Sequence, residues 1–299
     1  MLAYNNLNNI TNIIIFTTKI SKVEERIVLV DDGRVVLTHI EGFDQYLEPG
    51  IPWGSVCLVV GGPGTLKTTF TFSLLYNNVK LKNLKGLYIS LEQSKESLLT
   101  NMAKLGLDEI NNESLEIADY GTLRLMLKKA LEKSKKDLST QLKPGEAKGL
   151  IDSSNQNMED SKVGINWLDD IQKLIRDRVE FGDVNLVVLD SLNGLYALAE
   201  FTNARKELFH FFGFLRAINV TSFLIVESLA NSQKIGECGV EHFLSDGIFE
   251  LGIIEDREPM RYIQVKKIRG IAHDMNKYAF KVENGMRVWG KLIDTRRPS

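Results

Sequence analysis

The chain has 299 residues, enough for two small domains or for one α/β enzyme core. With 43% hydrophobic and 25% charged residues it is too apolar for a disordered chain and can build a sizeable core. A net charge of −2 argues against a molecule dominated by nucleic-acid contacts, although residues 257–299 hold eleven Lys/Arg against four Asp/Glu, a local excess of +7.

From the N-terminus, Ile13-Ile14-Ile15-Phe16 is apolar but too short to span a membrane or form a signal core, so a β-strand is expected there and no membrane attachment. Ile27–Val30 and Val35–Leu37 flank Asp31-Asp32-Gly33 and predict a β-hairpin. Val56–Val60 is a buried-strand run that leads at once into a Gly/Pro-rich loop, and Thr68–Leu81 then has an apolar helical face. Leu87–Leu91 and Leu115–Ala118 predict strands, and Leu123–Leu138 a helix. Between Lys135 and Val163 large apolar residues almost vanish, which predicts a flexible surface insertion. Trp167–Val179 resumes as helix, Leu186–Leu189 as strand, and Arg205–Ala217 as helix with Phe209 and Phe212 expected in the core. Phe223–Val226, Tyr262–Val265, Tyr278–Val282 and Arg287–Trp289 follow as strands. Helices alternating with strands predict a mostly parallel twisted sheet covered on both faces. The two cysteines, Cys57 and Cys238, form no Cys-x-x-Cys pair, so a reducing, cytoplasmic setting is the expectation.

The chemistry is concentrated in Gly61-Gly62-Pro63-Gly64-Thr65-Leu66-Lys67-Thr68-Thr69, placed after a strand and before a helix. Glycines let backbone N–H groups turn inward around phosphate oxygens, and a helix N-terminus adds unpaired donors. Lys67 would neutralise β/γ-phosphate charge and the Thr68 hydroxyl would ligate Mg²⁺. Leu66 stands where the usual phosphate-loop pattern has glycine. Helical dihedrals are expected for it, with its side chain turned away from the phosphates. Asp190 closes the apolar run Leu186-Val187-Val188-Leu189, the Walker B arrangement in which a carboxylate holds Mg²⁺ through water. A plain helix cap is the competing role. Glu92 follows another strand, where it could orient or deprotonate the attacking water. Alone it reads better as a solvated strand-end charge.

Taken with Ile40-Glu41-Gly42-Phe43-Asp44, Ser90-Leu91-Glu92, Val188-Leu189-Asp190-Ser191-Leu192, Gly239–Gly247, and Val265-Lys266-Lys267-Ile268-Arg269-Gly270 with His273, the order resembles the KaiC-like and RadA-like branch of RecA-type ATPases, especially single-domain archaeal KaiC-like proteins. The resemblance covers about Ile40–Val288. It implies a RecA-like P-loop domain over 40–299, with residues 1–39 as a β-rich extension and antiparallel strands at the C-terminal side. It implies ATP and Mg²⁺ as ligands, Glu92 as the catalytic glutamate, and nucleotide bound between subunits of a homo-oligomer, a hexameric ring or a filament. Lys267 and Arg269 match the Lys-x-Arg pair that reaches the neighbour's γ-phosphate. Gln93 replaces the second acid of KaiC, which points to slower turnover. Three functions stay open: an ATP-hydrolysing switch acting on an unnamed protein partner, a nucleotide-gated binding module with slow or no hydrolysis, and, less favoured, a DNA-recombination accessory ATPase.

Overall fold

The computed structural model describes residues 34–108, 113–125, 166–199, 201, 203–228, 239–255 and 258–292. The predicted strand Ile27–Val30 and the insertion at 135–163 lie outside the described residues, as does Cys238. The chain enters through β1 (Val35–Val36), which pairs antiparallel with β2 (Ile51–Pro52).

The main sheet has nine strands in the order β11-β10-β9-β8-β3-β7-β6-β4-β5. Its strands are β3 (Val56–Gly61), β4 (Lys85–Ser90), β5 (Leu115–Asp119), β6 (Val184–Asp190), β7 (Thr221–Glu227), β8 (Gly247–Ile254), β9 (Met260–Ile268), β10 (Lys277–Val282) and β11 (Met286–Lys291). From β8 to β5 every neighbouring pair is parallel, and β8 through β11 are joined by antiparallel pairing. The expected mixed sheet is therefore present. β8 has no counterpart among the predicted strands, yet it is the hinge between the two parts, parallel to β3 and antiparallel to β9.

Strand periodicity divides the core into two layers. Cys57, Val59, Leu186 and Val188 face one cluster with Phe70, Phe72 and Leu74, on the side of α1 (Lys67–Lys82) and α2 (Lys95–Ala103). Val56, Leu58, Val60, Val187 and Leu189 face the other cluster. That layer holds α3 (Trp167–Gly182), α4 (Leu192–Leu198) and α5 (Ala204–Ala217). This two-residue alternation in a fully apolar strand is what burial on both faces requires. In α5 the buried stripe is Leu208, Phe211, Phe212 and Leu215. Phe209 is a correction to the sequence reading: it is 62% exposed, because 3.6-residue periodicity sets it about a third of a turn from the centre of the Leu208–Phe211–Phe212–Leu215 stripe, past its edge and toward solvent. Residues 120–125 are helical, and the rest of the predicted helix 123–138 lies outside the described residues.

The order of strands sets the ligand crevice. After β3 the chain crosses over β7 and β6 to reach β4, while later helices cover the opposite face. The C-terminal ends of β3, β7, β6 and β4 thus open onto one crevice, the position where open α/β sheets bind ligands. Gly61, Glu227, Asp190 and Ser90 end those strands.

Candidate active site

The phosphate loop runs from β3 into α1 and draws its shape from three residues. A Cβ on Gly61 would sit 2.3 Å from the Leu251 carbonyl oxygen and 2.6 Å from Thr65 Oγ1, so this position admits no side chain. Gly64 has φ +75°, which glycine adopts without penalty. Leu66 overturns the helical expectation. It caps α1 at φ 68°, ψ 35°, in the left-handed region, with its half-buried side chain against the core. This is the conformation that glycine normally supplies at the turn into the helix, and here a leucine bears its cost. Left-handed backbone costs a non-glycine residue about 1–2 kcal/mol. Leu66→Ala loses packing and keeps that cost, while Leu66→Gly loses packing and removes it. Thermal or urea unfolding should therefore find the glycine variant more stable than the alanine variant by about 1 kcal/mol, and the reverse order rejects the strain.

Lys67 is buried at the loop's centre. Its Nζ donates to the Gly62 carbonyl at 3.0 Å and lies 3.8 Å from Glu227 Oε1. Burial pushes its ammonium below the ordinary lysine range, and the carboxylates of Glu227, Asp190 and Glu92 push it back. Thr65 Oγ1 also donates to the Gly62 carbonyl, at 2.8 Å, and tightens the loop. Arg261, on β9, donates from Nε to the Gly64 carbonyl at 3.1 Å. Pro63 and Gly64, at the tip, are exposed, while Thr69 is buried behind it in the helix.

Asp190 and Thr68 meet: Thr68 Oγ1 donates to Asp190 Oδ2 at 2.8 Å. Tyr88, fully buried on β4, donates its hydroxyl to the same oxygen at 2.6 Å. Burial, the largest influence, pushes the Asp190 carboxyl above the usual carboxylate range. The donations from Tyr88 and Thr68 oppose this shift, Glu92 adds to it, and Lys67 opposes it. A raised folded pKa favours the folded state below the unfolded carboxylate value of about 3.9, and that benefit is lost as pH rises through the folded value. Asp190→Asn does not titrate and keeps an acceptor for Tyr88. Its melting temperature without nucleotide should rise relative to the parent between about pH 4 and pH 7. A gap in melting temperature independent of pH would refute this.

Glu92 lies two residues beyond β4 and is exposed. One of its carboxylate oxygens accepts from Ser191 Oγ, which also caps α4 by accepting from the Gly194 N–H. The Asp190–Ser191 peptide is cis. Ser90 holds the preceding turn: its Oγ donates to the Gln93 carbonyl at 2.7 Å and accepts from the Gln93 N–H at 3.2 Å.

Lys267 and Arg269 are elsewhere. Arg269 N–H donates to the Asp246 carbonyl, and Asp246 Oδ2 accepts from the Val56 N–H, so this edge is level with the start of β3. Val56 and Gly61 are the two ends of the six-residue β3, roughly 17 Å apart. Lys267 Nζ donates to the His242 and Ser245 carbonyls at 2.9 and 2.6 Å, around α6 (Glu241–Leu244). Burial and the neighbouring Arg269 push its ammonium below the ordinary range. Arg269 donates to Asp246 Oδ1 and to the Phe243 carbonyl, each at 3.0 Å. Both cations therefore point away from the phosphate loop of their own chain.

The structure thus brings Lys67, Thr68, Asp190 and Glu92 together and leaves Lys267 and Arg269 at the far end. Sequence patterns missed Tyr88, Ser191, Glu227 and Arg261. Only Ser191 carried a local signal, as the residue after the Walker B aspartate and before a helix. Thr68 and Asp190 present hard oxygen donors of the kind Mg²⁺ takes, alongside substrate phosphate and water. Among the described residues no cluster of three or more His, Cys, Asp or Glu side chains is arranged to hold a metal by itself. The fit is that of a nucleotide-borne ion.

A family model described as "ATPase: KaiC" matches residues 36–143 and 127–291. The chain belongs to the KaiC ATPase family. It is 30% identical over 260 residues to a UPF0273 protein of Pyrococcus horikoshii, covering 83% of this chain and 91% of that protein. It is 27% identical over 271 residues to the circadian clock oscillator protein KaiC of Rippkaea orientalis, covering 89% of this chain and 46% of that protein. The chain thus spans about half the length of the KaiC relatives it matches. A crystal structure of a KaiC-like protein from Pyrococcus horikoshii superposes with a TM-score of 0.66 at 24% identity, over 86% of this chain and 99% of that one. That likeness fixes the fold as the KaiC-like RecA type, and the chain carries a KaiC-type ATPase domain.

Proposed function

We propose that this protein binds Mg·ATP at Gly61–Thr69 and hydrolyses it as half of a site that a second copy completes. The carrying observation is the placement of the two half-sites. Lys67, Thr68, Asp190 and Glu92 stand at the C-terminal end of the parallel strands, and Lys267 and Arg269 at the other end. Cations so far from their own phosphate loop act on phosphate only across a subunit boundary, which favours a homo-oligomer joined head to tail, as a ring or a filament.

In this reading Gly62, Pro63, Gly64, Thr65 and Leu66 form the loop that presents backbone N–H groups to the phosphates. Lys67 leaves the Gly62 carbonyl and Glu227 for the β/γ-phosphate oxygens. Thr68 and Asp190 would hold Mg²⁺, an ion whose chemistry there would be to offset phosphate charge. Glu92 orients the attacking water and accepts its proton, while Lys267 and Arg269 of the next copy stabilise the charge on the departing phosphoryl group. The protein works as a nucleotide-driven switch for a protein partner.

Static light scattering with and without Mg·ATP, with phosphate release read on the same samples, tests this. Specific activity should rise with protein concentration as assembly proceeds. Constant specific activity from a monomer would reject the shared site. One observation favours a slower, nucleotide-gated binding module: Ser191 already occupies a Glu92 oxygen, and Gln93 offers no second acid. ATP-dependent assembly without phosphate release would select it.

The DNA-accessory reading draws less support. Among the described residues of the basic tail, Lys266 is paired to Glu250, Lys281 to Glu283 and Arg287 to Glu41. Such pairing leaves little of the continuous basic stripe that phosphate backbones select. No helix among the described residues is long and apolar enough to cross a membrane. A cytoplasmic setting is part of the proposal.

A further inference from the structure

We propose that Tyr88 is a positioning residue for the magnesium site: its hydroxyl pins the Asp190 carboxylate by one oxygen, Oδ2, and leaves the other, Oδ1, to the ion. The inference rests on the Mg·ATP reading above. It starts from a buried polar group that the proposed chemistry does not use. Tyr88 lies inside β4 and is fully buried, in the apolar cluster with Phe72, Leu186 and Val188. Its ring sits 5.8 Å, centroid to centroid, from that of Phe72. A phenylalanine would fill the same space without a hydroxyl, and a buried hydroxyl is unfavourable unless it is hydrogen-bonded. Here the partner is Asp190, at 2.6 Å.

Sheet register makes the contact. β4 and β6 are parallel neighbours, with Tyr88 beside Val188 and Ser90 beside Asp190. Residues two apart on a strand share a face, so Tyr88 and Asp190 are diagonal neighbours, a span that a long aromatic side chain covers. The tyrosine hydroxyl therefore comes from within the sheet, while the Thr68 hydroxyl comes from the first turn of α1. Both donate to the same oxygen, Thr68 Oγ1 at 2.8 Å.

Two donors on one oxygen have three consequences. The carboxylate cannot turn about its Cβ–Cγ bond without breaking a bond to the buried tyrosine. The Thr68 hydroxyl has committed its one proton to Asp190, so its lone pairs are left for a cation. Among the described residues no group donates to Asp190 Oδ1, which makes it the carboxylate oxygen left for the ion. Groups that orient a metal's ligands without touching the metal change its affinity by roughly 10–100-fold when they are removed. Tyr88 stands in that relation to Asp190.

A fluorescent ATP analogue titrated into wild type and Tyr88→Phe, once with excess Mg²⁺ and once with excess EDTA, tests this without reading turnover. The substitution deletes one buried oxygen and keeps the ring, so the chain should fold, which circular dichroism checks. Mg²⁺ should tighten binding to the wild type. Tyr88→Phe should match the wild type in EDTA, because the phosphate loop and Lys67 are untouched, and should lose about 10-fold or more of the tightening by Mg²⁺. Added to Asp190→Ala, the same substitution should change nothing further, because the group it positions is gone. If the wild type binds no nucleotide, or gains nothing from Mg²⁺, the Mg·ATP reading falls and the role of Tyr88 with it. If the wild type gains from Mg²⁺ and Tyr88→Phe gains as much, the assignment of Tyr88 alone is overturned. An equal loss in Mg²⁺ and EDTA, or a further loss of the tightening by Mg²⁺ in the Asp190→Ala background, overturns it as well.

Discussion

Replacing Glu92 by Gln should leave Mg·ATP binding near the parent affinity and lower turnover by about 10²–10⁴-fold, the usual contribution of a positioned general base. The substitution keeps the side chain's size and an oxygen that accepts from Ser191 Oγ, so the turn at the end of β4 should hold. It removes the negative charge that would draw a proton from water. Fluorescent-nucleotide titration and phosphate release on one preparation separate the two quantities. If turnover persists at the parental rate, the base is another group, and Glu227, 3.8 Å from Lys67, becomes the next carboxylate to examine. Lys67→Ala is the necessary contrast, since loss of the buried ammonium should abolish nucleotide binding itself rather than the chemistry.

The second large effect belongs to Arg269. Arg269→Ala should lower turnover by about 10³-fold or more, within the range of cations supplied across a subunit boundary, while each chain still binds Mg·ATP. The fold should tolerate it: Asp246 keeps Arg216, at 2.9 Å, and the Val56 N–H as partners. Lys267→Ala is expected to act in the same direction. Mixing Arg269→Ala with Glu92→Gln makes the test specific. The first retains the crevice residues and the second retains the cations, so roughly a quarter of randomly formed head-to-tail interfaces regain both halves. Phosphate release from the mixture should exceed the sum of the two separate variants. A mixture no more active than that sum means that Arg269 serves its own chain.

Much of this is legible without coordinates. The phosphate loop and Asp190 can be read because each is a short local pattern fixed to the end of an apolar strand, whereas Glu92 needed the family resemblance beside its strand-end position. The mixed sheet follows from helices alternating with strands. What escapes is set by register between segments far apart in sequence. Tyr88 reaches Asp190 because β4 lies beside β6, and Glu227 reaches Lys67 because β7 lies beside β3. No spacing in the chain encodes either contact. Leu66 misleads for a different reason. Residue type favours a helical backbone, but the geometry of the turn into α1 demands a left-handed one, and packing against the core holds the leucine there. Phe209 misleads because its aromatic ring suggests the core, while its position on the turn of the helix sends it to solvent.

β3 touches both ends of the proposed chemistry. Its first N–H is bonded to Asp246, the carboxylate that also holds Arg269, and its last residue opens the phosphate loop. In between, every residue is buried and paired in register with β7 on one side, and most with β8 on the other. Such a strand is a stiff strut. In a head-to-tail assembly it places consecutive nucleotides in series, so that a cation engaging phosphate upstream pulls on the base of the strut whose tip grips the next nucleotide. Communication around the assembly would then require no flexible relay, and its measure is a departure of ATP dependence from simple saturation.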